Sequence, residues 1–177
     1  VLQKPHRYGK LQIRTEQEVC IVEIGNTNTL FCDLHTHSTC SDGTLTPEEL
    51  VGLALERGLG AIALTDHNTV AGCARFAAAA AGKPIHAVCG AEFSTDFAGE
   101  ELHLLGLFLP PLVFDEVTAF MAKRNAMKED SNRQTIENLR AAGFDISYEE
   151  LCAAFPGIFR NRSHIAQLLI RKGIVQS

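Results

Sequence analysis

Asp33, His35 and His37 stand at alternate positions in the stretch Asp33-Leu34-His35-Thr36-His37, and alternate side chains of an extended strand share one face. Three such groups can converge on one cation. The same chemistry recurs at Ser41-Asp42-Gly43, Thr65-Asp66-His67, Gly90-Ala91-Glu92 and His103. Taken singly, most of these have an ordinary reading: a histidine pair on a surface strand is commonly just polar, Asp42 suits an Asx-turn, and Asp66 suits a helix N-cap. Glu92 is harder to dismiss, because it interrupts an apolar run where an unpaired carboxylate is expensive to bury. Either an arginine or a cation has to compensate it. His6 and His86 read as ordinary, His86 because it begins its strand and faces the opposite end of the sheet.

The elements that must position these groups follow from hydrophobic pattern and punctuation. Leu30–Leu34, Ala61–Leu64 and Ile85–Ala91 are short apolar runs separated by helical stretches, the pattern of an α/β fold with parallel strands. Thr46-Pro47-Glu48-Glu49 supplies an N-cap, a first-turn proline and a capping-box glutamate, so a helix runs from there to Gly58. A second helix is expected over Val70–Ala81, stopped by Gly82. Only about eight residues, Ser94 to Glu101, precede the next apolar run Leu102–Leu109, and a parallel crossover needs about a dozen or more. That strand is therefore expected to return antiparallel, which brings His103 to the same end of the sheet as Glu92. Residues 112–142 read as one or two polar helices, followed by helices near Tyr148–Ala154 and Ser163–Lys172. Before the first core strand, Leu11, Ile13, Val19, Ile21 and Ile24 suggest a hairpin within residues 1–30.

Five separated segments thus deliver His, Asp or Glu to one edge of one sheet, the carboxyl end of the strands, where α/β sheets bind ligands. The donors are imidazole and carboxylate without a thiolate pattern, which suits Mn²⁺, Zn²⁺ or Fe²⁺. Six donors exceed the needs of one tetrahedral ion, and paired ions suit phosphate-ester hydrolysis through a metal-activated water. The 177 residues are enough for one domain with its own core. A net charge of −5, with both signs mixed along the chain, provides no basic stripe for general nucleic-acid binding. Six cysteines without a C-x-x-C pair fit reduced thiols in a cytoplasmic protein. The longest apolar stretch, around Cys73–Ala81, contains Arg75 and is too short to cross a bilayer, so no membrane association is expected.

Asp33-Leu-His-Thr-His37-Ser, Ser41-Asp-Gly43, Leu64-Thr-Asp-His67, Gly90-Ala-Glu-Phe-Ser94, His103-Leu-Leu-Gly106 and Arg162-Ser-His-Ile-Ala166 resemble, in order and spacing, the polymerase and histidinol phosphatase (PHP) family over residues 31–177. The likeness is greatest to small bacterial phosphoesterases acting on nucleoside 3′,5′-bisphosphates and on short RNA from the 5′ end. It implies a distorted (βα)7 barrel with up to three divalent ions, Mn²⁺ above all, held by His35, His37, Asp42, His67, Glu92 and His103. The same six residues would be the catalytic set, Glu92 bridging two ions, with Asp33 and Asp66 behind them orienting the histidines. Arg162 and His164 resemble the family's R-x-H element, which would grip a substrate phosphate. Arg133 falls where similar proteins offer arginines to a terminal phosphate, although a second arginine expected three residues earlier is Asp130 here.

The resemblance implies an organisation of residues 1–30 as an N-terminal extension and 31–177 as a PHP domain, with a helical insertion over about 112–162. An Ala-His-Pro strand and a Gly-Ser-Asp-x-His segment that such domains carry further on are absent from these 177 residues. The expected fold is accordingly the N-terminal part of the barrel plus the insertion. A domain fragment, a longer protein cut short, and a homo-oligomer that completes the open barrel are all compatible with that. Function is expected to be a nucleotide phosphatase or 5′-3′ exoribonuclease, with a metal-binding module of impaired catalysis and a histidinol-phosphate phosphatase as alternatives.

Overall fold

A computed structural model of the chain describes residues 20–22 and 30–176. Their strands are β1 (Cys20–Val22), β2 (Leu30–Thr36), β3 (Ala61–Leu64), β4 (His86–Phe97) and β5 (Glu100–Leu107), and their helices are α1 (Pro47–Glu56), α2 (Cys73–Ala80), α3 (Phe114–Ala141), α4 (Tyr148–Ala154) and α5 (Arg162–Arg171). The strands form one sheet in the order β1-β2-β3-β4-β5. β2, β3 and β4 are parallel, whereas β1 and β5 join antiparallel at the two sides. The hairpin expected within residues 1–30 lies outside the described residues except for Cys20–Val22, whose partner is β2, with Cys20 opposite Cys32.

α1 starts where the Thr46 hydroxyl accepts from the Glu49 N–H while Glu49 reaches back to the Thr46 N–H, so two orphan donors of the first turn are satisfied. Leu50, Val51 and Ala54 on its inner face meet Ile62 and Leu64 of β3 and Phe76 and Ala80 of α2. A fully buried ring such as Phe76 contributes about 2 to 3 kcal/mol by leaving water. This cluster fixes β3, and β3 aims its carboxyl end at the candidate site. A second cluster joins Ile136 of α3, Leu151 of α4, and Ile165, Leu168 and Leu169 of α5 with Ile146 and Phe155.

Two elements differ from the sequence expectation. The stretch 94–101 is not a loop: β4 continues to Phe97, and Ala98 and Gly99 alone make the turn, both at positive φ (53° and 88°), the backbone of a tight hairpin. α2 begins at Cys73 rather than Val70, because Cys73 N–H bonds the Val70 carbonyl in a turn ahead of the helix. In the stretch 112–142 a single 28-residue helix, Phe114–Ala141, follows a 3₁₀ turn at Pro111–Val113. Only Met121, Asn132 and Ile136 of α3 are buried, which is why its sequence reads as polar throughout. An apolar cavity of about 630 Å³, lined by Phe93, Leu104, Val117 and Phe120, opens between α3 and the β4–β5 hairpin. Among the described residues no helix is long and apolar enough to cross a membrane.

Candidate metal centre

β2 carries His35 near its end and places His37 just beyond it, and a register shift against β3 between Asp33 and Thr36 bends the strand there. Thr36 pins the bend, its hydroxyl donating to the Ala63 carbonyl (2.6 Å) and its carbonyl accepting from the Thr65 N–H (2.9 Å). As a result the two imidazoles face each other, Nε2 to Nε2, at 3.1 Å. Asp33 accepts from the His35 backbone N–H (3.1 Å).

Asp42 is brought in by a folded loop. The Asp66 carboxyl, only 1% exposed, accepts from the Ser38 N–H (2.7 Å), the Ser38 hydroxyl (2.7 Å) and the Ser41 hydroxyl (2.6 Å). Asp66 therefore orients the loop that bears Asp42 rather than a histidine ring. Gly43 N–H bonds the Ser38 carbonyl (3.0 Å), and a Cβ on Gly43 would lie 2.1 Å from the His37 carbonyl oxygen. Only glycine fits there.

His67 leaves the end of β3 and is bridged to Glu92 on β4 by backbone bonds, Asn68 N–H to the Glu92 carbonyl (2.9 Å) and Glu92 N–H to the Asp66 carbonyl (3.1 Å). Asn68 sits at φ 52° and is buried; its side chain accepts from the Ser94 N–H (2.9 Å) and donates to the Ser94 hydroxyl (3.1 Å). Left-handed backbone at a non-glycine residue is held only where its surroundings over-determine it, as this pair of bonds does. Across the hairpin, Phe93 lies over Gly106, where a Cβ would come within 2.5 Å of its ring. Phe93 and His103 belong to the same paired ladder, so this packing sets the hairpin that delivers His103.

His35, His37, Asp42, His67, Glu92 and His103 lie together in one cluster. Glu92 is the hub: Oε2 lies 3.0 Å from His35 Nε2, 3.1 Å from His37 Nε2 and 3.4 Å from His67 Nδ1, and Oε1 lies 2.7 Å from His103 Nδ1. Asp42 lies 3.5 Å from His37 Nδ1 and 3.6 Å from His67 Nε2. Three overlapping sets, His35/His37/Glu92, His37/Asp42/His67 and His67/Glu92/His103, each bring one donor atom per residue within 4.8 Å of the others.

Electrostatics favour deprotonated donors. Burial pushes the Glu92 carboxyl up, but the His35 hydrogen bond, the nearby His67 and His35, and the His103 hydrogen bond outweigh it and hold the group below the usual range. Asp42 behaves alike: burial raises it, and the Asn161 hydrogen bond with His67 and His37 brings it lower still. Burial keeps His67 below its ordinary value, against the pull of Asp42 and Glu92. A neutral imidazole has one N–H, yet His67 presents both nitrogens to carboxylates at 3.4 and 3.6 Å. One of those contacts must set a lone pair against an anionic oxygen, and a divalent cation between them removes the conflict. The donor set fits such ions.

The phosphate-binding residues expected from the sequence do not all join the site. Arg162 does line the open cavity beside it, with Asp42, His67, His103, Glu101, Lys128, Phe159 and Asn161. Arg133 instead stacks on the Tyr148 ring, 3.7 Å from its centroid, between α3 and α4. His164 is 1% exposed, its Nδ1 accepting from the Asn161 N–H (3.0 Å) and its Nε2 donating to the Ser41 carbonyl (2.9 Å). With both nitrogens engaged, His164 has no free position for a phosphate. It ties α5 to the loop carrying Asp42, and Asn161 repeats the tie by donating to Asp42 (2.8 Å). The sequence reading missed Asn68, Asn161, Ser38, Ser41, Glu101 and Lys128. A buried carboxyl at Asp66 was the available signal, because it demands donors, and Ser38 and Ser41 flank the Asp42 turn.

Fold and site together define an α/β protein with a His/Asp/Glu cluster that could hold metal ions, at the carboxyl ends of its parallel strands. The chain belongs to the PHP domain family, whose profile matches residues 33–176. It is 34% identical over 145 residues to a 5′-3′ exoribonuclease of Haemophilus influenzae, covering 82% of this chain and 52% of that protein. It is 32% identical over 152 residues to a 3′,5′-nucleoside bisphosphate phosphatase of Chromobacterium violaceum, covering 81% and 50%. Among solved structures, a putative metal-dependent phosphoesterase of Bifidobacterium adolescentis superposes with TM-score 0.73 at 26% identity, over 81% of this chain and 51% of that one. An amidohydrolase structure from Chromobacterium violaceum, with bound sulfate and no metal, gives the same TM-score at 32% identity and the same coverage. The chain thus has the PHP-type fold and spans about half the length of the relatives it matches.

Proposed function

We propose that this chain carries the metal-holding part of a divalent-metal phosphoesterase that hydrolyses phosphate esters of nucleotides or of short RNA. The observation that carries the reading is the Glu92 carboxylate shared by His35, His37, His67 and His103. The relatives named as a bisphosphate phosphatase and an exoribonuclease support the substrate class.

His35, His37, Asp42, His67, Glu92 and His103 would hold the ions, with Glu92 between two of them. Mn²⁺ is the proposed metal, since the donors are imidazole and carboxylate without thiolate. Bound divalent ions supply a Lewis-acid centre that polarises a phosphoryl oxygen and acidifies a water. The chain's own residues do the rest: Asp66 and Asn161 hold Asp42 in place, Asn68 holds Glu92 against His67, and Lys128 and Arg162 put positive charge on the open side of the cluster. In this reading residues 112–162 are a helical insertion, and it contributes Lys128, Phe159 and Asn161 to the cavity wall.

β5 ends the sheet among the described residues, and Leu102, Leu104 and Leu105 on it are exposed. Such an edge invites further strands, which supports completion by more polypeptide, a second copy of the chain included. A cytoplasmic setting agrees with the thiols of Cys40, Cys73, Cys89 and Cys152.

The test is release of phosphate from adenosine 3′,5′-bisphosphate with added Mn²⁺, alongside metal analysis of the same sample. Turnover that is lost with a chelator and in His35→Ala and Glu92→Gln is the expected result. Turnover indifferent to chelator and to both substitutions overturns the proposal, and bound metal without turnover means a metal-binding module.

A further inference from the structure

Glu101 stands beside the cluster in an unusual position for a surface carboxylate. It is the second residue of β5, two before His103, and each of its oxygens meets a different cation: Oε1 lies 2.5 Å from Lys128 Nζ on α3, and Oε2 lies 3.1 Å from Arg162 Nη2 on α5. Oε1 is also 3.6 Å from His103 Nε2, and His103 Nδ1 in turn touches Glu92. One carboxylate therefore spans two cations from two separate helices, with its oxygens at the mouth of the cavity that Asp42 and His67 also line.

Three observations argue that this bridge is made to open. Arg162 is 75% exposed, so water can replace it on Glu101 at little cost, while Lys128, with its side chain 20% exposed, holds the more sheltered half of the bridge. The hairpin does not depend on Glu101 to stay against α3: one helical turn before Lys128, Arg124 on the same helix pairs with Asp96, which lies opposite Glu101 in the hairpin register. The cavity in front of the bridge measures about 130 Å³, several times what one water needs.

We propose that Glu101 is the resident occupant of the cation pair Lys128 and Arg162, the second of which the family resemblance already assigns to a substrate phosphate, and that Glu101 is displaced when that phosphate binds. A carboxylate and a phosphate face offer a pair of anionic oxygens to the same two cations, and guanidinium and ammonium accept both. Glu101 then sets the threshold for entry. A ligand with a single negative charge competes poorly with a tethered carboxylate, while a dianionic phosphate monoester outbids it through its greater charge. This displacement deepens the phosphoesterase reading and rests on it only for the identity of the ligand.

The experiment measures the dissociation constant of inorganic phosphate by calorimetry on the EDTA-treated full chain, for wild type, Glu101→Gln, Glu101→Ala and Glu101→Gln/Lys128→Met. Because neither metal nor turnover enters this measurement, its outcome is independent of the activity assay. Removing the resident charge is expected to tighten phosphate binding by about threefold to tenfold, and the added Lys128→Met is expected to abolish the gain. Weaker or unchanged binding in both Glu101 variants overturns the proposal, since that is what a carboxylate that merely props up Lys128 and Arg162 would produce. A second readout is kinetic where turnover exists: KM for a phosphate monoester falls in Glu101→Gln.

Discussion

Asp66 and Glu101 are both carboxyl groups with three polar neighbours beside the same cluster, yet Asp66 is 1% exposed and the Glu101 side chain 27%. Asp66 accepts from uncharged donors of one short loop, Ser38 and Ser41. Glu101 meets charged groups on long flexible stems from two helices and a weak contact to His103. Breaking the first set strands buried donors that water cannot reach, whereas breaking the second returns ions to solvent. The contrast separates two jobs. Groups that must hold ligand atoms to a fraction of an ångström are wired through the interior, and groups that must admit and release a substrate are left at the rim.

The largest expected effect tests the interior side. Asp66→Ala removes the acceptor of three bonds at a buried site and should lower unfolding free energy by about 3 to 5 kcal/mol, read by urea denaturation. Asp66→Asn keeps one oxygen and should lose clearly less. Metal stoichiometry should fall in the alanine variant even where it remains folded, because Asp42 rides on the released loop. If Asp66→Ala were no worse than a surface substitution, the interior wiring would have no special weight.

A smaller effect, with a pH signature, comes from His164. Its Nδ1 accepts a backbone N–H, which places the ring proton on Nε2 toward Ser41, so the folded protein holds this imidazole neutral. Burial lowers its pKa, the Ser41 carbonyl and Asp42 partly oppose this, and Arg160 and Arg171 lower it further. A folded value below the unfolded one means that the unfolded chain binds the proton more readily. Its contribution is therefore full above the ordinary value of 6.5 and drains away as pH falls from there toward the lowered folded value. His164→Ala should cost about 2 kcal/mol at pH 7.5, and the gap to wild type should narrow at pH 5.5. A gap independent of pH would contradict a neutral, buried His164.

These two residues also mark how far the sequence could be read. The clustered His, Asp and Glu residues were legible because these types recur at strand ends, and strand ends announce themselves through apolar runs and the capping box at Thr46 and Glu49. The antiparallel return that brings the His103 side chain to Glu92 followed from the shortness of the connection alone. What stayed hidden was the side-chain wiring between distant segments. His164 meets Ser41 across 123 residues, and Asn161 meets Asp42 across 119; no local period or spacing encodes such contacts. The family resemblance pointed His164 toward a phosphate, and the packing of α5 against the Asp42 loop turned it inward instead. Asn68 escaped notice because an asparagine after Thr-Asp-His reads as an ordinary turn residue, while its left-handed backbone shows only in three dimensions.

The smallest effect lies on the rim, where Arg124 and Asp96 moor α3 to the hairpin. Their side chains are 26% and 59% exposed, so the pair sits largely in high dielectric and pays side-chain entropy to hold its geometry. Asp96→Asn should change stability by less than about 1 kcal/mol, and raising salt to about 1 M should erase the difference, because screening then acts within a few ångströms. The substitution should nevertheless register at Lys128, one turn along the same helix, since the apolar cavity behind leaves α3 with few buried contacts against the hairpin. A modest weakening of phosphate binding in Asp96→Asn at low salt, absent at high salt, would show that the rim is held in position by charge. A loss as large as that of Asp66→Ala, or one that salt leaves untouched, would mean that packing holds α3 and that rim and interior obey the same rule.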